Sequence, residues 1–303
     1  MSDVVIDPAI PEAAATGQTR GASALAGRVG LVLAVGLVIL ALLGPLLAPD
    51  PTAMTDGLLT GPSGGHLFGT DNYGRDVFAR WLAGARPLVV VGWISAIGAV
   101  LIGTLLGVVA AAVRGLASSA IMRAVDVMLA FPSLLLAMAL VAALGNGLPS
   151  ITIGIGVAYV PQIARMAYGL AQSVLVSAYV EQAYHAGAST WTVLKRHVVP
   201  NIAAPVVVFG TSIVGWAMLA AATLNFLGLG TNPPTPDWGA DLRLGGQYLY
   251  QAWWMSVFPG VGVMAAVLSA NLLGDFAARH LDIRGPRSQR RRQRATGTGG
   301  GNR

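Results

Sequence analysis

Few side chains in this sequence are of types that do chemistry. The 303 residues include no cysteine, a single lysine (Lys195) and four histidines, which are His66, His185, His197 and His280. The spacing of the histidines matches no metal-binding motif. Because cysteine is absent, disulfides, thiolate zinc sites and thiol catalysis are excluded. The sequence therefore predicts no metal centre and no catalytic residue, and we expect this chain not to be an enzyme.

Nucleotide binding through a P-loop is also excluded. That motif requires Gly-x-x-x-x-Gly-Lys followed by Ser or Thr, whereas the only lysine, Lys195, lies between Leu194 and Arg196. We expect no cofactor in this chain. If ATP drives the protein, another subunit must hydrolyse it.

One polar segment, residues 181–189, has features of a docking loop. Its small residues permit the close approach of another surface, and Gly187 can turn the chain where a side chain would clash. Ser189 is placed to N-cap a short helix over residues 190–198, and Pro200 is predicted to end that helix before the next apolar segment. An ordinary amphipathic helix at a membrane surface has a similar composition, so composition alone leaves both roles open.

Long apolar segments surround this loop. Hydrophobic residues make up 54% of the chain and charged residues 11%, against about 25% charged residues in a soluble domain. A helix needs about 20 apolar residues to cross a bilayer. The sequence predicts an all-α membrane protein with six transmembrane helices, over residues 29–47, 87–113, 127–144, 151–164 (continuing past Arg165), 202–229 and 252–274. At the start of the last helix, Trp253, Trp254 and Phe258 are predicted to form an interfacial aromatic belt.

The arginine distribution predicts the orientation. With the N-terminus inside, all but four of the 19 basic residues (Arg75, Arg80, Arg86 and Arg243) fall on the inner side. This bias predicts a multi-pass protein with both termini in the cytoplasm. It also accounts for the net charge of +6 without nucleic acid as a partner.

The sequence divides into five regions on this topology. Residues 1–28 are predicted to be a cytoplasmic tail with little order, 29–47 the first helix, 48–84 an extracytoplasmic loop, 85–280 the transmembrane domain and 281–303 a basic cytoplasmic tail. The arginines of the last region are predicted to be a solvated signal for topology, although they also have the charge to contact anionic lipid.

The apolar centres of the predicted helices contain no Asp, Glu, Lys, Arg or His. Charges at that depth are costly unless they serve a pathway, so a proton-coupled carrier is disfavoured, while sodium coupling through backbone carbonyls stays open. The candidate pathway-lining residues are uncharged: Thr211, Ser212, Thr223, Asn225 and Asn271. Each of them serves equally well in helix packing.

The polar loop resembles a known motif. Glu181-x-Ala183-x-x-x-Gly187, followed by Pro200, is similar to the Glu-Ala-Ala…Gly…Leu-Pro loop of ABC importer permeases, although Gln182 and Val199 stand where Ala and Leu are usual. In that family the loop docks on an ATPase subunit. The resemblance implies a coupling loop over residues 166–201, with these site residues: Glu181, Ala183, Gly187, Ala188, Ser189 and Pro200.

Three further segments narrow the resemblance. Residues 66–76 (His-Leu-Phe-Gly-Thr-Asp-Asn-Tyr-Gly-Arg-Asp), 225–239 and 271–275 resemble segments of the C-type permease subunits of dipeptide, oligopeptide and nickel importers. One departure is Ala221, where many relatives carry Glu. The resemblance implies the type I ABC importer permease fold and a place in a bacterial inner membrane.

The same resemblance implies partners. They are a second, homologous permease in a heterodimer, two cytoplasmic ATPases that bind ATP and Mg, and an extracytoplasmic substrate-binding protein. Peptides are favoured over nickel as substrate, because nickel prefers imidazole ligands and no histidine lies inside a predicted span. Nickel, another small solute, or an ion-coupled carrier remain the alternatives.

Overall fold

The computed structural model describes residues 15–55, 57–113, 115–231 and 234–280, and every regular element in these ranges is a helix. The predicted all-α fold is therefore confirmed. The helices are α1 (Ala15–Leu47), α2 (Val77–Ala112), α3 (Leu116–Leu129), α4 (Ser133–Leu144), α5 (Leu148–Leu175), α6 (Ala178–His185), α7 (Thr190–Val193), α8 (Val199–Phe226), α9 (Trp238–Gln247) and α10 (Trp254–His280).

The number of membrane spans differs from the predicted six. Four described segments are long and apolar enough to cross a membrane: Val29–Leu47, Val77–Ala112, Thr190–Phe226 and Trp254–Ala278. The pair α3 and α4 makes a fifth if it counts as one span. Helix α5 has 28 residues, about 42 Å of helix, but it is not among the four because polar residues interrupt its apolar sequence.

Two predicted boundaries are wrong because helices continue beyond the apolar segments. Helix α1 begins at Ala15, so half of the predicted N-terminal tail is helical, while residues 1–14 and the basic tail 281–303 lie outside the described residues. Helix α2 begins at Val77, ten residues before the predicted start. Asp76 caps it by accepting a hydrogen bond from the Ala79 amide at 2.9 Å.

The segment predicted as one span over residues 127–144 is broken. Helices α3 and α4 meet at an angle of 93°. Pro132 directly precedes α4, and its ring disfavours helical backbone at the preceding residue, Phe131. The apolar composition of this segment therefore correctly indicated helix, but not the bend between the two helices.

Pro200 does not end a helix, contrary to the prediction. The chain stays helical over Thr190–Phe226, through a wide turn at Leu194–Val198 in which the Val199 amide donates to the Leu194 carbonyl five residues earlier. A proline inside a helix clashes with the carbonyl four residues before it. The wider turn just ahead of Pro200 is where the helix accommodates this clash.

Glycines allow the long helices to pack closely. A Cβ atom at Gly107 of α2 would lie 2.4 Å from the Ala164 carbonyl oxygen of α5, and one at Gly92 would lie 2.4 Å from the Met218 side chain of α8. Helix α1 packs along α2 and α10. Such small-residue contacts are typical of helices in membranes, where van der Waals packing drives association.

Candidate functional site

Within the predicted coupling loop, residues 166–201, the segment that was singled out forms a turn between α6 and α7. Gly187 has a φ of +85°, which side-chain-bearing residues rarely adopt, and no atom would lie within 4 Å of a Cβ there. The turn closes through hydrogen bonds from the Gly187 amide to Tyr184 (2.9 Å) and from the Ala188 amide to Ala183 (3.0 Å). The glycine is thus required by backbone geometry and not by lack of space.

Ser189 caps the helix that follows the turn, as predicted. Its hydroxyl oxygen accepts a hydrogen bond from the Thr192 amide at 3.3 Å. Beneath the loop, Val180, Val193 and Val198 are fully buried. These apolar side chains fix the loop to the ends of the helices, so its polar side chains point outward.

The acidic residue of the loop is free to meet another molecule. The Glu181 carboxylate is 75% exposed, and its one ion-pair neighbour among the described residues is the His185 imidazole, 4.0 Å away and 79% exposed. A cavity of about 800 Å³ opens beside the loop, between the ends of α2 and α5, with Tyr184 and Thr190 in its wall. This end of the molecule therefore presents polar groups and open space.

The opposite end of the helical bundle carries a compact structure that the sequence did not predict. We call residues 50–55 and 57–76, together with Asp237 and α9, the cap. Within it, Arg75 and Asp71 form an ion pair (Nε to Oδ2, 2.6 Å) whose side chains are each 3% exposed. A second buried pair joins Arg80 of α2 to Asp241 of α9, with 3.1 Å between Nε and Oδ1. Two buried ion pairs thus stabilise what was predicted only as a loop.

Asp237 is the N-cap of α9 and, like Asp71 and Asp241, is buried. Its Oδ1 accepts hydrogen bonds from the amides of Gly239 (2.9 Å) and Ala240 (3.1 Å), while its Oδ2 is buried without a partner. Burial raises the pKa of Asp237 to about 7, and the neighbouring Asp241 carboxylate adds to the rise. The Asp237 carboxyl group therefore titrates near neutral pH.

Aromatic side chains hold the cap on the bundle. Trp238 is 1% exposed, packs between Gly84 and Gly262, and donates a hydrogen bond to the Trp81 carbonyl at 2.9 Å. Trp254 donates to the carbonyl of Thr70 at 3.1 Å.

The predicted aromatic belt is consequently wrong for two of its three members. Trp254 is buried, and the Phe258 ring stacks on Phe68 with centroids 3.8 Å apart. Trp253 alone is half exposed. The sequence prediction assigned Trp254 and Phe258 to the membrane surface because their partners in the cap are distant in the sequence, and no local pattern indicates such contacts.

The five predicted pathway residues lie on α8 and α10. Thr211 and Ser212 face Gly274 of α10, and Asn271 lies against Gly215 of α8. The hydroxyls of Thr211 and Thr223 donate to carbonyls of their own helix, at 2.7 and 2.8 Å.

Asn225 has a different environment from the other four. It is 2% exposed, accepts a hydrogen bond from the Thr231 amide (2.9 Å) and donates to the Ala221 carbonyl (3.1 Å). Its amide therefore stabilises the turn that follows α8.

A groove runs between α2 and α8. It consists of two adjoining cavities of about 170 and 560 Å³ that share Val100, Leu101 and Val207. Thr211 lines the smaller cavity, and Lys195 lines the larger one at the end near the coupling loop. Sequence reasoning missed Thr104, which lines the larger cavity and whose buried hydroxyl has no hydrogen-bond partner.

Comparison with known proteins places this architecture in a family. Residues 103–284, which include the predicted coupling loop and the side of the groove that α8 forms, match the family described as the binding-protein-dependent transport system inner membrane component. The chain belongs to this family. The permease accordingly has the type I ABC importer permease fold and is a multi-pass membrane protein.

Curated relatives of the permease cover most of its length. It is 39% identical over 259 residues to a putative peptide transport system permease protein of Brucella suis, covering 85% of this chain and 87% of that protein. It is 39% identical over 249 residues to the dipeptide transport system permease protein of Alkalihalophilus pseudofirmus, covering 82% of each. It is 41% identical over 254 residues to the di/tripeptide transport system permease protein of Pseudomonas aeruginosa, covering 81% and 84%. The predicted resemblance to permease subunits of peptide importers is confirmed, whereas the ion-coupled carrier finds no support.

Proposed function

We propose that this permease forms half of the pathway through which an ATP-driven importer takes up dipeptides or oligopeptides. The observation that carries the proposal is the identity of 39 to 41% to permeases named for peptide transport, over more than four fifths of this chain in the three relatives above. Family membership supports the mode of transport, and the names of the relatives support the substrate.

The importer that we propose has the partners expected of this family. A second, homologous permease completes the pathway, two cytoplasmic ATPases bind ATP and Mg, and an extracytoplasmic binding protein delivers the substrate. The lack of a P-loop in this chain supports a separate ATPase. The arginine distribution supports cytoplasmic termini, and the bacterial origin of the relatives supports a bacterial inner membrane.

In this proposal the turn between α6 and α7 docks on an ATPase. Glu181, Ala183, Gly187, Ala188 and Ser189 contribute the docking surface, and the exposure of the Glu181 carboxylate supports that role. Pro200 contributes indirectly, because it follows the wide turn that joins α7 to α8. Motion of the docked loop then reaches α8 through a continuous helix.

The pathway that we propose follows the groove between α2 and α8. Thr104 and Thr211 offer hydroxyl groups to a passing peptide backbone, whose donors and acceptors are the same for every side chain. Ser212, Thr223 and Asn271 remain candidates beside it. Asn225 is left out of this pathway, because it is enclosed and its amide is already hydrogen-bonded.

Uptake by the complete complex in proteoliposomes tests the proposal. With binding protein outside and ATP available to the ATPases, labelled di- and tripeptides should accumulate, and they should not do so without ATP. ATP-dependent nickel accumulation with no movement of peptides would show that the substrate assignment is wrong. Uptake driven by an ion gradient alone would overturn the transport mode.

Single cysteines test the orientation, since the chain has none of its own. Replacements at Ser63 and Gln247, both exposed, should react with an impermeant reagent from outside the cell. A cysteine at Ser189 should react only after permeabilisation. Reaction of the Ser189 variant in intact cells would refute both the topology and the docking role.

The Glu181→Ala variant tests docking. It should lower substrate-stimulated ATP hydrolysis and weaken co-purification of the ATPases, because the partner loses a carboxylate contact. His185→Ala is the matched control, since it removes the neighbouring imidazole but keeps the carboxylate. Equal losses in both variants would attribute the effect to their mutual contact and not to docking.

A further inference from the structure

Helix α3 runs across the long helices of the bundle and not along them. Helix α4 packs along α5, where a Cβ on Gly154 would lie 3.0 Å from the Val141 side chain and 3.1 Å from the Ala137 carbonyl oxygen. Because α3 and α4 meet at 93°, α3 is steeply inclined to α5. The buried side chains of α3, Met122 and Val125, pack in one cluster with residues of α2 and α5.

Helix α3 crosses α2 near the far end of its uncharged part. The exposed Arg86 is the last charged residue before that part begins. Leu106 and Ala110 of α2 lie in the cluster beneath α3, and the Ser118 hydroxyl of α3 donates to the Ala110 carbonyl at 2.7 Å. Leu106 and Ala110 follow Arg86 by 20 and 24 residues, about 30 and 36 Å of helix. The hydrocarbon core of a bilayer is about 30 Å thick, so with Arg86 at the outer surface α3 lies at the level of the inner surface.

The length of α4 fits a flat position of α3. Helix α4 has 12 residues, about 18 Å, and a helix with its side chains is about 10 Å wide. Helix α4 alone is too short to cross a core of about 30 Å. The two lengths together approach that thickness when α3 lies flat beneath α4.

Two exposed faces of α3 differ in polarity. The exposed apolar side chains recur at the spacing of one helix face: Leu116, Ala120, Val127 and, directly after the helix, Phe131. The exposed polar side chains form a separate face: Ser119, Arg123 and Asp126. The first face is open, since Leu116 and Val127 are 90% and 63% exposed. An apolar face beside a polar one is typical of a helix that lies in the membrane–water boundary.

We infer that α3 is an in-plane helix of the inner leaflet, with its exposed apolar face among lipid acyl chains and Arg123 on an anionic phospholipid headgroup. Arg123 pairs with no described carboxylate, because its neighbour Asp126 pairs with Arg165 of α5 at 3.3 Å. The charge of Arg123 is therefore available, and its long side chain can extend to the headgroups. The inference rests on the orientation proposed above and adds a lipid as a ligand of this helix.

The depth of two probes in the bilayer is the first test. Leu116→Cys and Val127→Cys replace exposed side chains in a chain without native cysteine. Each is labelled with a fluorophore in the complete complex in proteoliposomes and quenched by lipids that carry a spin label at a known depth. The two positions are 11 residues apart, about 16 Å along a helix. For an in-plane helix, the same shallow spin label should quench both probes best.

Two results of the depth measurement would overturn the inference. Probes whose depths differ by about 16 Å would show that α3 stands along the bilayer normal. Probes that no lipid label quenches would show that protein, such as the second permease or an ATPase, covers the apolar face. Equal shallow depths together with labelling of the Ser189→Cys variant from outside would place α3 in the other leaflet and reject the orientation.

Lipid preference at the Val127→Cys probe is the second test. Spin-labelled phosphatidylglycerol should be enriched there about fivefold over spin-labelled phosphatidylcholine, the enrichment expected for one basic residue at an anionic surface. Arg123→Gln should abolish the preference. Arg86→Gln, the same change at an exposed arginine near the other end of α2, is the matched control and should preserve it.

A preference that survives in the Arg123→Gln variant would reject Arg123 as the headgroup ligand, and equal quenching by the two lipids in the unsubstituted complex would reject an anionic ligand altogether. Neither measurement needs transport. Peptide uptake by the same proteoliposomes therefore tests the proposed function separately from this inference.

Discussion

The cap and the coupling loop, at opposite ends of the permease, place charged residues in opposite environments. In the cap, the side chains of Arg75 and Asp71 are each 3% exposed and lie 2.6 Å apart. In the coupling loop, Glu181 and His185 are 75% and 79% exposed and lie 4.0 Å apart. Charge therefore stabilises the protein at one end and is available to another molecule at the other.

The comparison shows why residue type alone does not indicate a role. A buried charge that loses its partner is strongly destabilising, whereas an exposed pair contributes little. Substitutions in the cap are thus expected to affect the free energy of unfolding. Substitutions in the coupling loop are expected to affect activity while the fold persists.

The largest expected effect on stability is that of Trp238→Ala. The side chain fills the space between α2 and α10, so its removal should lower the free energy of unfolding by about 3 to 5 kcal/mol. Thermal unfolding in detergent measures the effect. Trp216→Ala, at a tryptophan that is 60% exposed, is the matched control and should change little. Equal melting temperatures for the two variants would mean that α9 does not stabilise the bundle.

Loss of the Arg80 side chain should be the next largest effect. Arg80→Ala leaves the Asp241 carboxylate buried without its cation, at an expected cost of about 3 kcal/mol. The double variant Arg80→Met with Asp241→Leu should recover much of the loss, because no buried charge remains. A double variant less stable than Arg80→Ala would indicate that the pair's hydrogen bonds matter more than its charge.

The pH dependence of the protein's stability is expected to depend on Asp237 of the cap. Burial raises the pKa of Asp237 from 3.8 to about 7. Between these two pH values the Asp237 carboxyl group is therefore protonated in the folded protein and ionised in the unfolded chain. Stability should therefore fall as pH rises through this window, by up to about 1.4 kcal/mol per unit. Above pH 7 this contribution should level off.

Asp237→Asn should flatten this slope, because the side chain no longer ionises and still accepts the α9 amides. Melting temperatures between pH 5 and pH 8 measure the change. Asp50→Asn, at an exposed carboxylate elsewhere in the cap, should leave the slope in place. A slope that survives in the Asp237→Asn variant would assign the titration to another group.

The smallest effect on stability but a large one on activity is expected for Gly187→Val. The turn needs a φ of +85°, which costs a side-chain-bearing residue about 1 to 2 kcal/mol, and a shifted turn would misplace the docking surface. Substrate-stimulated ATP hydrolysis by the complex should fall. Gly246→Val is the matched control, because Gly246 also has open space but an ordinary φ. Normal stimulation in the Gly187→Val complex would argue against coupling through this turn.

The contrast between the cap and the coupling loop also explains which features could be predicted from the sequence. The turn at Gly187 and the N-cap of α7 at Ser189 are local features, and a few adjacent residue types were enough to predict both. The ion pair between Arg80 and Asp241 joins residues 161 positions apart, and no local pattern indicates which distant residues meet. Arg80 was therefore counted only as an exception to the inside-positive bias.

Helix breaks were predicted less well than helices. Pro132 was overlooked inside an apolar segment that bends by 93°, whereas Pro200 was expected to end a helix that continues. Whether a proline breaks a helix depends on how the neighbouring turn adjusts, and that adjustment is not visible in composition. The pathway residues were chosen by polarity alone, which is why Asn225 was included although its amide serves a turn.

The wide turn at Leu194–Val198 has a consequence for rotation. In an α-helix each residue advances the side chains by about 100° around the axis, so the extra residue of the wide turn sets α7 out of phase with α8 by about that angle. Deleting one residue from the turn would restore regular phase and rotate Ser189 and the docking surface around the axis, together with Lys195 at the end of the groove. One residue of the wide turn thus determines the direction in which the coupling loop faces. Because the helix is continuous, a rotation of the loop about the helix axis would be transmitted to α8.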